Sequence, residues 1–253
     1  MHVLDQIAHE NAWSRRGTGG KVFLTFGLMG TALGGSPPFA AILVLVATLL
    51  LARLSALVPM RIFLGVLAVP LGFLATGLPV LALSVGWQGG PVLLWSAAGA
   101  TDAMLLGVRS LATLSAMLLL SMTTPPMRLI SLGQRVGLSP VFVDLAMLTY
   151  RLLFVLSDVA LSGFRSQSFR LGYQGWRTSL RSLSLLVAGL LGRTMHQAQR
   201  LETGLAARGH TGALPVLTSL PKTRPLEWIG AVTLPGGIFW ASRDLAAIWT
   251  GHG

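Results

Sequence analysis

Few side chains in this sequence stand at spacings that support catalysis or metal binding. No two histidines have the H-x-x-x-H spacing of a metal site, and no acids form an i, i+3 or i, i+4 pair. Cysteine is absent, so a thiolate nucleophile or metal ligand is excluded. GTGGK at 17–21 lacks the earlier glycine of a phosphate-binding loop, and Val22 replaces its Ser or Thr. We therefore expect no cofactor, no metal cage and no ATP site in this chain itself.

Two arginines are better candidates for function. Ala198, Leu201 and Leu205 recur at helical spacing, and Arg208 continues their stripe with a glycine directly after it. This pattern fits a basic residue that ends a helix, and it equally fits a tip that docks on a partner. Arg109 stands within an apolar helix pattern, where it is either functional or extends to the membrane interface.

The composition predicts a membrane protein. Of the 253 residues, 53% are hydrophobic and 11% charged, whereas soluble domains carry about 25% charged residues. The net charge is +11, which in an apolar chain favours cytoplasmic loops over a nucleic-acid surface. The polar N-terminus has no apolar signal-peptide region, so the spans themselves are expected to direct insertion.

Apolar runs and breakers predict an all-α polytopic fold with about five transmembrane helices. The predicted spans cover residues 21–33, 38–54, 59–78, 103–123 and 228–249. Pro70 is expected to kink the third span, and Pro235-Gly236-Gly237 to interrupt the last. Residues 79–101 carry no charge and are expected to form a hydrophobic, partly re-entrant connection on the outer side.

The middle of the chain differs from these spans, because arginines separate its apolar runs. We interpret residues 1–124 as a lead with transmembrane helices, 125–226 as cytoplasmic or interfacial coupling helices, and 227–253 as a C-terminal transmembrane helix. Helices are expected at 125–136, 139–171 and 177–208, with a break at 172–175. The positive-inside rule places the N-terminus and 125–226 in the cytoplasm and, with five spans, the C-terminus outside.

Several motifs resemble those of the transmembrane T component of energy-coupling factor transporters, in its CbiQ cobalt branch. The opening LDQIAHENAWSRRGTGGKVFL, with Asn11, Trp13 and Lys21, is similar to the start of that family. The most specific similarity is residues 123–160, which contain Thr123-Thr124-Pro125, Gly137-Leu138 and Thr149-Tyr150-Arg151. Ala207-Arg208-Gly209 resembles a family signature.

The resemblance implies two long coupling helices with one arginine tip for each ATPase subunit. Arg208 would be the second tip, and Arg170 in SFRLG the first, although Leu171 there separates the arginine from Gly172. The implied coupling residues are Arg170, Gly172, Ala207, Arg208 and Gly209. The implied supporting residues are Thr124, Pro125, Tyr150 and Arg151.

By this resemblance the chain is a non-enzymatic, multi-pass subunit of an ATP-driven importer in the cell inner membrane. It would couple two CbiO-like ATPases to a CbiM-like substrate-binding membrane subunit, with a small CbiN-like subunit and membrane lipid as further partners. The cargo would be cobalt for cobalamin biosynthesis, or nickel. The residues alone also allow an independent permease whose basic cytoplasmic face binds lipid or an anionic substrate. A lipid phosphate transferase using Arg109, Arg128 and Arg151 is a third alternative, although no acid–base group supports it.

Overall fold

The structure, a computed structural model, describes residues 7–8, 11–14, 16–36, 38–81, 83–87, 91–95, 97–209 and 224–250. It divides into two compact units. We call Met1–Leu129 with Ser219–Gly253 the bundle unit, and Ile130–Thr218 the hairpin unit.

The described chain is helical apart from one short β-hairpin, which confirms the predicted all-α polytopic class. The helices of the first half are α1 (Thr18–Gly34), α2 (Phe39–Leu50, continued by a π-helical turn at Leu51–Ser55), α3 (Met60–Leu81) and α4 (Ala97–Thr123). Those of the second half are α5 (Pro126–Arg135), α6 (Pro140–Phe169), α7 (Trp176–Ala207) and α8 (Pro225–Thr250).

The connection between α3 and α4 differs from the prediction. The sequence predicted no strands here, whereas β1 (Leu83–Trp87) and β2 (Pro91–Trp95) pair in antiparallel fashion. Both flanking helices extend toward this hairpin beyond their predicted ends, and α3 continues through Pro79. A β-hairpin satisfies its inner backbone groups by cross-strand hydrogen bonds, which suits a segment that is apolar throughout.

Helices α1 and α8 lie parallel to each other in the bundle unit. Glu227 accepts a hydrogen bond from the Gly17 N–H at their first ends, and Gly35 lies beside Ser242 at their far ends. Midway, a Cβ added to Gly27 would lie 2.8 Å from Cγ of Pro235. The predicted interruption at Pro235 is therefore wrong, because α8 runs through it without a break. A proline removes one N–H donor from a helix, and its ring crowds the preceding turn. Here the ring of Pro235 packs into the space left by Gly27.

Small and hydroxylated residues bring the other bundle helices together. Ala112 and Ala116 of α4 are buried in the same core as Val44 of α2. Between these helices, the hydroxyls of Thr48 and Ser115 are hydrogen-bonded at 2.8 Å. Close approach over small residues, with hydroxyl hydrogen bonds between helices, is the typical packing of transmembrane bundles.

Three described helical segments are long and apolar enough to cross a membrane: Met60–Leu81, Gly99–Thr123 and Pro140–Phe169. The last lies within the region predicted as cytoplasmic or interfacial coupling helices, and it is named here by its length and composition alone. The apolar helix Phe39–Ser55 is shorter than a full span. The protein is therefore a polytopic membrane protein.

Candidate coupling site

Thr124 and Pro125 lie where α4 ends and α5 begins. Neither Pro125 nor Pro126 has an N–H, so the carbonyls of Ser121 and Met122 lack their usual i+4 donors. The Thr124 N–H still reaches the Leu120 carbonyl at 2.9 Å, which continues the helical pattern to the edge of the break. Thr124 and Pro125 are both fully buried, so they hold the junction inside the bundle unit.

The N-terminal lead supplies donors to this junction. The side-chain amide of Asn11 donates to the Met122 carbonyl at 2.8 Å, and the Lys21 ammonium donates to the Thr123 carbonyl at 2.8 Å. The Arg128 guanidinium donates to the carbonyl of Ser14. Two stretches that the resemblance treated separately, the lead and Thr-Thr-Pro, are therefore one structure. At the Met122 carbonyl, the Asn11 amide replaces the donor that Pro126 removes.

In the hairpin unit, α6 and α7 pack as an antiparallel pair. A Cβ on Gly163 would lie 2.5 Å from Cδ1 of Leu186, so this glycine permits the close approach of the helices. At the turn, the Tyr173 hydroxyl donates to Oε1 of Gln167 at 2.7 Å, and its ring contacts Phe164 with centroids 4.6 Å apart. These contacts fix the turn at 170–175, where the sequence predicted a break.

Arg170 is the C-cap residue of α6. The next residue, Leu171, has a left-handed backbone with φ +59°, and its N–H donates to the Ser168 carbonyl. The Gly172 N–H donates to the Gln167 carbonyl at 2.9 Å, which completes a Schellman cap. Ser182 of α7 then donates to the Gly172 carbonyl at 2.8 Å and ties this end to the neighbouring helix.

Arg208 occupies the same position at the end of α7. The backbone of Arg208 has φ −95° and ψ 11°, compared with −90° and 14° at Arg170. Gly209 has φ +69°, and its N–H donates to the Ala206 carbonyl at 3.0 Å. In backbone terms, the counterpart of Gly209 is therefore Leu171 and not Gly172. The inserted leucine adopts the conformation in which a glycine is usual.

The two arginine tips lie at different ends of the hairpin unit and differ in their neighbours. The first tip is bonded to Ser182, and α7 continues from there to Arg208 for about 40 Å at a rise of about 1.5 Å per residue. Both arginines are exposed. Around Arg170 stand large exposed apolar residues, Phe169 (87%), Leu171 (62%) and Trp176 (79%), whereas Ala207 and Gly209 flank Arg208.

Comparison with known proteins identifies the family of this chain. The CbiQ family, described as cobalt transport protein, matches residues 10–220. The chain belongs to the CbiQ family. It is 35% identical to the cobalt transport protein CbiQ of Rhodobacter capsulatus over 238 residues, covering 94% of this chain and 96% of that protein. It is also 33% identical to CbiQ of Salmonella typhimurium over 156 residues, covering 58% and 69% of the two chains.

A further relative is named as a fusion protein. A protein of Methanocorpusculum labreanum, named as a fused cobalt transport protein CbiMQ, is 29% identical over 249 residues, covering 89% of this chain and 39% of that protein. Together with the apolar helices, these relatives identify the protein as a cobalt transport component of the membrane. The CbiQ family motif at residues 123–160 thus spans the α4–α5 junction and most of α6.

The supporting residues of this CbiQ chain are not gathered around the tips. Tyr150 packs edge-on against Phe154, with ring centroids 5.0 Å apart, and Arg151 is exposed beside it. Both stand about five turns before Arg170 on α6. The residues that sequence reasoning left without a role are Asn11, Lys21 and Leu171. For Asn11 and Lys21 the available signal was a pair of polar donors near the N-terminus, and for Asn11 also the double proline that removes a helical donor.

The described residues contain no group of three or more His, Asp or Glu side chains placed to hold a metal ion. The arginine tips and the α4–α5 junction are both fixed by hydrogen bonds at helix ends. A Schellman cap fixes the last turn of a helix, so that an arginine on it has a defined direction of approach to a partner.

Proposed function

We propose that this protein is the transmembrane coupling subunit of an ATP-driven energy-coupling factor importer for cobalt. Arg170 and Arg208 each dock on one of two CbiO-like ATPase subunits, and hydrolysis takes place on those subunits. The observation that carries the proposal is the matched C-cap geometry of the two exposed arginines, about 40 Å apart within one helical unit. Two similar tips at this separation suit two copies of a similar partner.

Arginine suits such a tip for chemical reasons. Its guanidinium is a planar fork of five donors that binds carboxylates and carbonyls in two-point fashion, and it stays charged at any cellular pH. A packed helix moves as a unit, so ATPase closure that draws on the tips also displaces α6 and α7. The backbone that positions Arg170 includes Leu171 and Gly172. The backbone that positions Arg208 includes Ala207 and Gly209.

The substrate-binding partner would be a CbiM-like membrane subunit. The fused relative named CbiMQ supports it, because fusion keeps two chains that work together at one place. Exposed apolar side chains are also available for such a partner or for lipid, including Val69 and Phe73 of α3. A small CbiN-like subunit and nickel as a second cargo belong to the same proposal.

The charges of the bundle unit support an inner-membrane location in which the N-terminal lead faces the cytoplasm. The start of α1, the end of α2, the end of α4 and the start of α8 lie at one end, as their contacts show. That end carries Arg16, Lys21, Arg53, Arg61, Arg128 and Arg224. Basic residues collect on the cytoplasmic side of membrane proteins, so we place the lead and the coupling helices there. Because α8 starts at the same end, the C-terminus then faces outside.

Reconstitution in liposomes tests this function. We expect ATP-dependent cobalt uptake only when this chain is combined with both ATPases and the CbiM-like subunit. Omission of this chain should abolish uptake while leaving cobalt binding by the CbiM-like subunit intact. Cobalt transport by the purified chain alone, without ATPases, would instead establish an independent permease.

A further inference from the structure

A cavity of about 350 Å³ opens in the bundle unit between the first turns of α1 and α8 and the π-helical turn after α2. It belongs to neither arginine tip. One part of its wall is charged and the other apolar. Its lining includes Arg16, Lys21, Leu24, Arg224, Glu227 and Leu234.

The charged part of the wall carries three cations and one carboxylate. Lys21 is only 5% exposed, and among the described residues its ammonium has one hydrogen bond, to the Thr123 carbonyl. Two of its three N–H donors therefore remain available in a buried position, which is costly unless something accepts them. The Arg16 guanidinium stacks over the ring of Trp13 at 5.0 Å and lines the same cavity.

The carboxylate of Glu227 is engaged with the backbone. Its Oε2 accepts the N–H of Gly17 at 3.0 Å and the N–H of Arg224 at 3.2 Å. Glu227 thus caps the starts of both α1 and α8, in the manner of a capping box in α8. The remaining charge of the cavity wall is positive, so the cavity attracts an anion despite this carboxylate.

The apolar part of the wall extends away from these charges. Leu24 stands about one turn beyond Lys21 on α1, Ala231 stands about two turns beyond Arg224 on α8, and Leu51 and Leu234 complete this side. The Trp13 indole N–H is already bonded to the Ser55 hydroxyl at 2.8 Å, so the ring offers mainly an apolar face. A free phosphate ion would leave this apolar wall uncovered, whereas a headgroup with its first acyl carbons would cover it.

We propose that this cavity binds the phosphate headgroup of an anionic phospholipid. The phosphate accepts hydrogen bonds from Lys21, Arg16 and Arg224, and the acyl chains leave along Leu24 and Leu234. The cavity lies at the basic end of the bundle, where an anionic leaflet surface is expected. A bound lipid would link the N-terminal lead to α8 and thereby stabilise the end of the bundle that holds the α4–α5 junction. The inference goes beyond the coupling function and does not depend on which ATPases dock.

The test measures the apparent Tm of the full chain in neutral detergent during titration with three probes. These are dihexanoyl phosphatidylglycerol, dihexanoyl phosphatidylcholine and inorganic phosphate. We expect a saturable rise in Tm with phosphatidylglycerol alone. The double variant Arg16→Gln with Arg224→Gln should bind that lipid roughly thirty-fold more weakly, since each arginine contributes roughly a five- to six-fold change in affinity.

Two further variants distinguish this site from general lipid coating. Arg53→Gln with Arg61→Gln removes the same charge from exposed residues at the same end, outside the cavity, and should leave the affinity unchanged. Gly230→Leu places a side chain in the cavity without altering charge, because nothing lies within 4 Å of a Cβ there, and should also abolish the rise. Equal responses of the cavity variants and the control pair would overturn the site. A rise of the same size with inorganic phosphate would overturn the lipid assignment.

Discussion

The ammonium of Lys21 donates a hydrogen bond of 2.8 Å to the carbonyl of Thr123. The two residues are far apart in the chain, and the bond joins the start of α1 to the end of α4. Carbonyls at a helix C-terminus carry partial negative charge, so a cation there is favourable. Asn11 serves the adjacent Met122 carbonyl in the same way. The lead and the start of α1 thus cap the end of α4, where Asn11 supplies the donor that Pro126 lacks.

Lys21→Met tests this cap. The substitution keeps most of the apolar stem but removes the Lys21 donor from the buried Thr123 carbonyl, so we expect a loss of about 1–3 kcal/mol in unfolding free energy. Thermal unfolding in detergent measures the effect, with Arg61→Met as an exposed control from the same end of the bundle. An increase in stability would mean that desolvation of the ammonium outweighs the bond, and that Lys21 is kept for another reason.

Alanine substitutions at Gly27 and Gly30 together test the contact between α1 and α8. Both are helical glycines, and alanine there gains about 1 kcal/mol of helix propensity. At Gly30 nothing lies within 4 Å of an added Cβ, so Gly30→Ala should be stabilising. At Gly27 the Cβ would lie 2.8 Å from the ring of Pro235, which cannot rotate away, so Gly27→Ala should be destabilising by about 1–3 kcal/mol. Effects of the same sign in thermal unfolding would contradict the packing described here.

The sequence predicted features that depend on local pattern. Apolar periodicity indicated most helices to within a few residues, and the Gly172–Gly175 break was confirmed because turn residues act locally. Pro235 was misread because its tolerance depends on Gly27, which lies on another helix. The hydrogen bond from Lys21 to Thr123 could not be predicted either, because the sequence around each residue does not indicate which distant residue it contacts.

The backbone conformation at the first tip, Arg170, could not be predicted from the sequence for a different reason. A search for Arg-Gly aligns Arg170 with Gly172 across an extra residue, whereas the backbone aligns Leu171 with Gly209. A leucine in the left-handed region costs about 1–2 kcal/mol relative to a glycine's freedom there, and sequence rules therefore do not place it in a cap. The hydrogen bonds of Gly172 to Gln167 and of Ser182 to Gly172 hold it in place.

Leu171→Gly and Leu171→Ile separate the backbone of the first tip from its side chain. Glycine adopts the left-handed conformation without strain, so the cap should form and the free energy of unfolding should rise by up to about 1–2 kcal/mol. Isoleucine has the same atoms as leucine but is β-branched, so it should lose about 1–2 kcal/mol and loosen the turn. Limited proteolysis around residues 170–175 reports the loosening. Equal protection of both variants would show that the cap does not control this turn.

Arg170→Glu and Arg208→Glu test whether the two tips dock on ATPases. Each reverses the charge of an exposed residue at a capped helix end, so the fold should persist and the docking contact should become repulsive. We expect each single variant to lose one of the two ATPase subunits on co-purification and to abolish ATP-dependent cobalt uptake. Arg200→Glu is the matched control, because it is an exposed arginine two turns before Arg208 whose guanidinium is bonded only to Gln197 among the described residues.

If each tip docks on its own ATPase, each single variant should lose one ATPase subunit. Loss of one tip then leaves a complex with a single ATPase bound, visible as an intermediate mass by light scattering, and only the double variant releases both. If Arg208→Glu alone releases both subunits while Arg170→Glu releases neither, the pair is unequal and Arg170 is not a docking residue. Retention of both ATPases and of uptake in the double variant would remove the basis for assigning coupling to the C-cap arginines.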